Sequence, residues 1–196
     1  METLLSNLLH WDESLFHLLN SVWTHPVLDE VMPWWRDKKT WIPLYVVLAG
    51  FAIYRFRLRG LYFILGVVLT VGVADTVSSK VMKPTFERLR PCNNTELPFE
   101  VEQRGGCGGG YSFTSSHATN HLAIAWFIAL TLGATYKWLR WPLVLWAISI
   151  AYGQVYVGVH YPLDVLVGGC IGSLIGWGLS SAFNARPKLN LQNVNV

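Results

Sequence analysis

Five hydrophobic stretches separated by short polar segments dominate the pattern of this chain. They cover residues 40–56, 60–78, 117–136, 141–159 and 161–183. A bilayer hydrocarbon core of about 30 Å needs about 20 helical residues, so each stretch reads as a transmembrane helix. Between the first two lies only Arg55-Phe56-Arg57-Leu58-Arg59, room for one tight turn, and the pair is predicted to form a helical hairpin. The first forty residues follow a different pattern. Leu4, Leu5, Leu8, Leu15, Leu18, Leu19 and Val22 recur at about helical spacing, with Asp12, Glu13 and Asn20 between them. That predicts an amphipathic helix lying in the membrane interface. A sixth span through Phe16–Val31 is the alternative, and His25, Pro26, Asp29 and Glu30 oppose it.

The predicted fold is all-α, a polytopic membrane helical bundle of about five transmembrane helices plus an N-terminal interfacial helix. It forms a single domain over residues 1–196. Residues 1–39 are its amphipathic N-terminal segment, 40–183 its transmembrane core and 184–196 a flexible tail. The opening residues lack a basic segment, and Asp12 and Glu13 break their apolar run, so they do not read as a cleavable signal peptide.

Composition strengthens the membrane reading. Hydrophobic residues make up 52% and charged residues 14% of the 196, against about 25% charge in a typical soluble domain. Ten Trp supply interfacial anchors. The net charge of +3 is modest and not pooled as a nucleic-acid footprint would be. The basic clusters Arg55/Arg57/Arg59, Lys137/Arg140 and Arg186/Lys188 all fall on one side if the five spans alternate. The positive-inside rule makes that side cytoplasmic. Residues 79–116 and the short connection at 158–161 then face the other way, which in a bacterium is the periplasm. Cys92 and Cys107 share one polar loop, either as two free thiols or, in an oxidising compartment, as a disulfide. The same loop carries Gly-Gly-Cys-Gly-Gly-Gly without the spacing of a P-loop, and is predicted to be a flexible extramembrane segment.

Three polar clusters sit at the ends of the hydrophobic stretches, all on the non-cytoplasmic side. Lys83 and Arg90 are seven residues apart, which on a helix puts them on one face, and Pro91 would end that segment. Lys offers a phosphate a point charge and Arg a planar fork. Ser115 and Ser116 precede an apolar run where a helix N-cap belongs, leaving free N–H groups for an anion, with His117 in the first turn. His160 and Asp164 are four apart, so if both are helical they meet. A carboxylate on one imidazole nitrogen fixes the tautomer and frees the other nitrogen as a nucleophile. His121 lies one turn beyond His117 as a supporting residue. Asp75, an ionisable group inside the second stretch, reads as a supporting residue bonded to Ser78, Ser79 or a cation. A metal site is not expected: no HExxH motif occurs, and Lys83 and Arg90 would oppose a dication.

The order Lys83-x6-Arg90-Pro91, Ser115-Ser116-His117, His160-x3-Asp164 resembles the type 2 phosphatidic acid phosphatase (PAP2) superfamily over residues 60–183. The segments KPTFERLRPC, SFTSSHATN and YVGVHYPLDV are similar to its bacterial membrane branch. The resemblance implies that His160 attacks phosphorus, that Asp164 orients it, and that His117 protonates the leaving oxygen and then activates water. Lys83, Arg90, Ser115, the Ser116 N–H and the position held by Gln154 would grip the phosphate. No metal or cofactor is implied.

Two positions depart from the family pattern. Thr114-Ser115-Ser116-His117 stands where Pro-Ser-Gly-His is usual, which keeps the hydroxyl and the imidazole. Gly153-Gln154 stands where Ser-Arg is usual, which removes a cation. A lost charge-assisted hydrogen bond costs about 1.5–3 kcal/mol. Either Lys83 and Arg90 suffice, or another cation such as Arg88 or Arg104 compensates.

The predicted activity is metal-independent hydrolysis of a lipid phosphate or diphosphate, namely undecaprenyl diphosphate, phosphatidylglycerol phosphate, phosphatidic acid or lipid A. Its predicted place is the bacterial inner membrane, with the active site towards the periplasm. The alternatives are a lipid phosphotransferase using the same residues, or a catalytically weak lipid-binding protein.

Overall fold

The computed structural model describes residues 2–191, and among them there is helix, turn and loop but no strand. Helix α1 (Glu2–His17) ends in a wide turn at Leu18–Val22 and is followed by α2 (Pro26–Trp35). The chain breaks helix between these two, so no continuous span runs from Phe16 to Val31. The break is local chemistry. His25 is extended, its Nδ1 accepts the Val27 N–H, and Pro26 occupies the first helical position, where its missing N–H costs nothing.

Helices α3 (Ile42–Phe56) and α4 (Leu58–Asp75) form the expected hairpin, joined at the single residue Arg57. Gly60 allows it: a Cβ there would meet the Ala52 carbonyl oxygen at 2.1 Å. The second stretch runs further than its expected end at 78. It continues through a wide π turn (Thr76–Met82) into α5 (Lys83–Phe86), and leaves the helix at Glu87, whose φ is +46°. After the loop come α6 (Ser116–Leu130), the short α7 (Leu132–Thr135), α8 (Arg140–Tyr156) and α9 (Pro162–Asn184).

The central element is α6, buried along most of its length and packed by α4, α8 and α9. Its contact with α9 is backbone to backbone. Gly168, Gly172 and Gly176 recur every four residues on α9, and a Cβ at Gly172 or Gly176 would meet the Thr119 or Ala123 carbonyl oxygen at 2.1 or 2.4 Å. Small residues at this spacing let membrane helices approach closely without a hydrophobic driving force. Outside the centre the apolar side chains point away from the protein. Val46, Val47, Leu65, Leu69, Leu145, Leu166 and Leu174 are exposed. The stretches Leu58–Asn93 and Pro162–Asn184 are long and apolar enough to cross a membrane, and only 22% and 28% of their most apolar windows is buried. A soluble core helix would show the reverse.

The packing of the two ends of the chain could not be read from spacing. In α1 and the turn after it polar residues face in: Leu4, Leu8 and Leu15 are exposed, whereas Asp12 and Asn20 are buried. Asp12 accepts hydrogen bonds from Arg88 and from the Leu163 N–H, and Asn20 bonds Tyr156 O and both backbone groups of Glu102. The tail expected to be flexible from 184 is packed as far as it is described. Leu191 is 1% exposed and Leu189 packs on the core with Phe56, Phe127 and Phe183, while Arg59 donates to the Asn190 carbonyl. Residues 192–196 lie outside the described range.

Candidate active site

A cavity of about 1090 Å³ opens between α3, α4 and α6 and ends at the polar clusters. Its long wall is apolar, built from Leu48, Phe63, Ile64, Val67, Ile124 and Ile128. Its polar part is lined by Lys83, Arg90, Ser116, His117, Asn120, Gln154 and His160. The chain's chemistry is therefore concentrated at the end of an oily slot.

His160 and Asp164 meet, but not as two residues of one helix. His160 lies in the loop before α9. Tyr161 is the extended N-cap, Pro162 the first helical residue, and Asp164 accepts the Tyr161 N–H at 2.9 Å as the other half of a capping box. From that place its Oδ2 lies 3.5 Å from His160 Nδ1. Ser112 bridges the pair, donating to Asp164 Oδ2 and standing 3.2 Å from His160 Nδ1. Arg88 donates to Asp164 Oδ1 at 2.9 Å, reaches Asp12 at 2.6 Å, and stacks its guanidinium on the Tyr161 ring. Asp164 is thus fully buried and fully bonded.

The other ring nitrogen, Nε2, faces Arg90 Nη1 at 3.2 Å. Arginine only donates, so Nε2 is the bare nitrogen and Nδ1 carries the hydrogen towards Ser112 and Asp164. Burial pushes the His160 imidazolium down to about 4, against the opposing pull of Asp164. The ring is therefore neutral near pH 7, with its lone pair towards the cavity.

Lys83 and Arg90 reach the cavity by separate routes, not along one helix face. Lys83 opens α5 and bonds the Tyr111 carbonyl, whereas Arg90 follows beyond that helix in extended chain. Arg90 is held by the carbonyls of Gly109, Gly110 and Val159. The glycine-rich loop is accordingly tied down. Its carbonyls hold Arg90, Cys92 and Cys107 form a disulfide with Cα atoms 5.9 Å apart, and Arg104 bonds Asp29 and the Asn20 carbonyl.

Ser115 caps α6, accepting the Ala118 N–H at 3.4 Å; it is buried and off the cavity wall. Its own N–H donates to the Asp164 carbonyl at 3.0 Å, which locks the starts of α6 and α9 together. Ser116 lines the cavity and shares a hydrogen bond with Ser79 at 3.0 Å. His117 lines it one residue further on. His121 Nδ1 donates to the His117 carbonyl at 2.8 Å, and the two rings stack. Asp75 accepts from Asn120 at 3.0 Å and from Ser79 at 3.4 Å. Among the described residues no group of three His, Cys, Asp or Glu side chains is arranged for a metal ion.

Neither Arg88 nor Arg104 is free to reach the cavity. Arg88 is committed to Asp12 and Asp164, and Arg104 to Asp29 and the Asn20 carbonyl. Neither lines the cavity. The cation beside Gln154 is Arg36, at the end of α2, whose Nη1 donates to Gln154 Oε1 at 3.0 Å. Nothing in its spacing marks Arg36 in the sequence. Ser112 and Asp12 were missed for the same reason, since both meet the site only through tertiary contacts.

The model of the PAP2 superfamily matches residues 59–188. The chain belongs to the PAP2 superfamily. Two relatives of this PAP2 chain are named lipid A 4'-phosphatase. The protein from Bacteroides thetaiotaomicron is 31% identical over 169 residues, 85% of this chain and 74% of that protein. Its counterpart from Porphyromonas gingivalis is 32% identical over 172 residues, 86% and 71% of the two chains. The crystal structure of a transmembrane PAP2-type phosphatidylglycerolphosphate phosphatase from Bacillus subtilis superposes with a TM-score of 0.66 at 25% identity, covering 91% of this chain and 87% of that one. The all-helical membrane fold of the PAP2 chain is therefore shared with a solved relative.

Proposed function

We propose that this protein is a membrane phosphatase that hydrolyses a lipid phosphate through a phosphohistidine at His160. The observation that carries the reading is the split environment of that ring. Nδ1 is fixed by Ser112 and Asp164, while Nε2 faces the cavity beside Arg90. In the first step Nε2 attacks phosphorus and His117 gives a proton to the departing lipid oxygen. In the second, His117 takes a proton from water, which attacks the phosphohistidine and releases inorganic phosphate. Lys83, Arg90 and the Ser116 N–H at the start of α6 stabilise the charge that builds on phosphorus. Ser115 contributes by capping that helix start, and Asp75 by holding Asn120 and Ser79.

The apolar wall of α3, α4 and α6 takes the tail. The two lipid A 4'-phosphatase relatives make a lipid A phosphate the first substrate to test, ahead of phosphatidylglycerol phosphate, undecaprenyl diphosphate and phosphatidic acid. We read the described chain as one PAP2 domain in the inner membrane, with the site towards the periplasm. The basic clusters at 55–59, 137–140 and 186–188 fall at one end of the bundle, and the Cys92–Cys107 disulfide, which an oxidising compartment favours, lies at the other.

The test is phosphate release by the purified protein from those four lipids. At least one is expected to be cleaved, with His160→Ala lowering the rate by about 10³-fold or more. Undiminished activity in His160→Ala would sink the mechanism. Transfer of the phosphate to a second lipid, without free phosphate, would assign the protein to phosphotransfer instead.

A further inference from the structure

Arg36 does not come from any of the helices that carry the three motifs. It sits at the end of α2, in the segment before the first long hydrophobic stretch, yet it lines the same cavity as Lys83, Arg90, His117 and His160. Its position is fixed from both sides. The preceding Trp35 donates its indole N–H to Ser149 on α8 at 2.9 Å, and the following Asp37 caps the short turn Lys38–Trp41. Gly153 supplies the space: a Cβ there would meet the Arg36 Cβ at 3.3 Å.

The hydrogen bonding around the guanidinium is incomplete. Nη1 donates to Gln154 Oε1 at 3.0 Å and Nη2 reaches the Gly106 carbonyl at 3.5 Å. Nε of Arg36 and Nε2 of Gln154 are both buried with no partner. Gln154 is fully buried, and its one satisfied atom is the oxygen that holds Arg36. Two unpartnered donors and a positive charge on residues of the cavity's polar lining call for an anionic acceptor, because buried donors in folded proteins are otherwise satisfied.

We propose that Arg36 and Gln154 together form a phosphate-binding clamp, in which the N-terminal segment supplies the cation and α8 supplies the amide that orients it. The proposal rests on the phosphatase reading above and adds a binding residue to it. Gln154 is then not a lost contact. Its oxygen fixes the guanidinium and its N–H₂ group joins Arg36 Nε as a donor to the phosphate oxygens.

The experiment uses the full chain in detergent or nanodiscs, with inorganic orthovanadate as the probe and phosphate release from lipid as the second readout. Arg36→Ala is expected to weaken vanadate inhibition and lower kcat/KM by about 10- to 100-fold, the range for loss of a charge-assisted contact, with an unchanged melting temperature. The exchange variant Arg36→Gln/Gln154→Arg returns a guanidinium from the other helix and is expected to recover at least a tenth of the wild-type vanadate affinity. Folded Arg36→Ala with wild-type vanadate affinity overturns the clamp. Should that variant fail to fold, the exchange variant decides, and a folded exchange variant that does not bind vanadate overturns it equally. A wild-type protein that binds vanadate but cleaves none of the lipids would count against the phosphatase reading and leave the clamp standing.

Discussion

The two sides of α6 are built on opposite rules. Towards α9 the helices touch through glycine, and backbone oxygens stand where a side chain would otherwise be. Towards α4 the contact is made by large side chains such as Phe63, Ile64 and Val67, and a cavity of about 1090 Å³ lies between α3, α4 and α6. On the close side Ser115, at the start of α6, is bonded to Asp164, at the start of α9, which fixes the two helix starts against each other. The open side has room for a lipid tail. Precision and accommodation are thus separated onto two faces of one helix, and each can be changed without the other.

The largest effect is expected on the close side. Gly172→Leu drives a side chain into the Thr119 backbone and should cost about 3 kcal/mol or more, seen as loss of monodisperse protein and of the melting transition. Gly50→Ala is the control. Nothing lies within 4 Å of a Cβ at that position, and the change should be neutral or slightly stabilising. Equal damage from both would erase the contrast.

Burial on the close side sets the second prediction. With His160 pushed down to about 4, its ring should stay neutral through the range in which an ordinary histidine, near 6.5, gains its proton. The unfolded chain binds that proton first. Stability tied to His160 is therefore complete above about pH 6.5 and is lost as pH falls towards 4. Nitrogen-15 histidine spectra, assigned with His160→Ala, should show this titration well below the ordinary value. A midpoint at 6.5 would mean that the ring is not shielded from water.

On the open side the effect is smaller and selective. Val67→Trp narrows the tail slot and should raise KM for a long-tailed lipid phosphate by about tenfold, roughly the worth of one or two methylenes of apolar contact. Hydrolysis of a short water-soluble phosphate ester should not change. Equal losses on both substrates would place Val67 in the reaction itself, not in tail binding.

The sequence made the bundle legible because lipid-facing helices advertise themselves by length and by the scarcity of charge. The hairpin at Arg57 followed from lack of chain. The glycine seam was readable in principle from Gly168, Gly172 and Gly176, but spacing alone does not say which helix the glycines face. The polar clusters were legible as spacings, although the geometry behind two of them was not. Arg90 meets Lys83 only after the chain has left α5, and His160 meets Asp164 across a capping box. Arg36 left no trace in the sequence, since its role depends on α2 folding back against α8. The polar stripe of α1 was visible, but its direction was not: in a membrane protein Leu can face out and Asp in.

That inward stripe has a consequence in time. Asp12 bonds Arg88, made 76 residues later, and the Leu163 N–H, made 151 residues later. At synthesis rates of about 5–20 residues per second the second partner emerges roughly 8–30 s after Asp12 does. Until Arg88 emerges the carboxylate has only water to satisfy it, and until Leu163 follows it has only Arg88, which favours α1 waiting at the membrane surface over entering the hydrocarbon. Helix α1 is then docked only after α9 has begun to form, because Asp12 completes its bonding on the Leu163 N–H there.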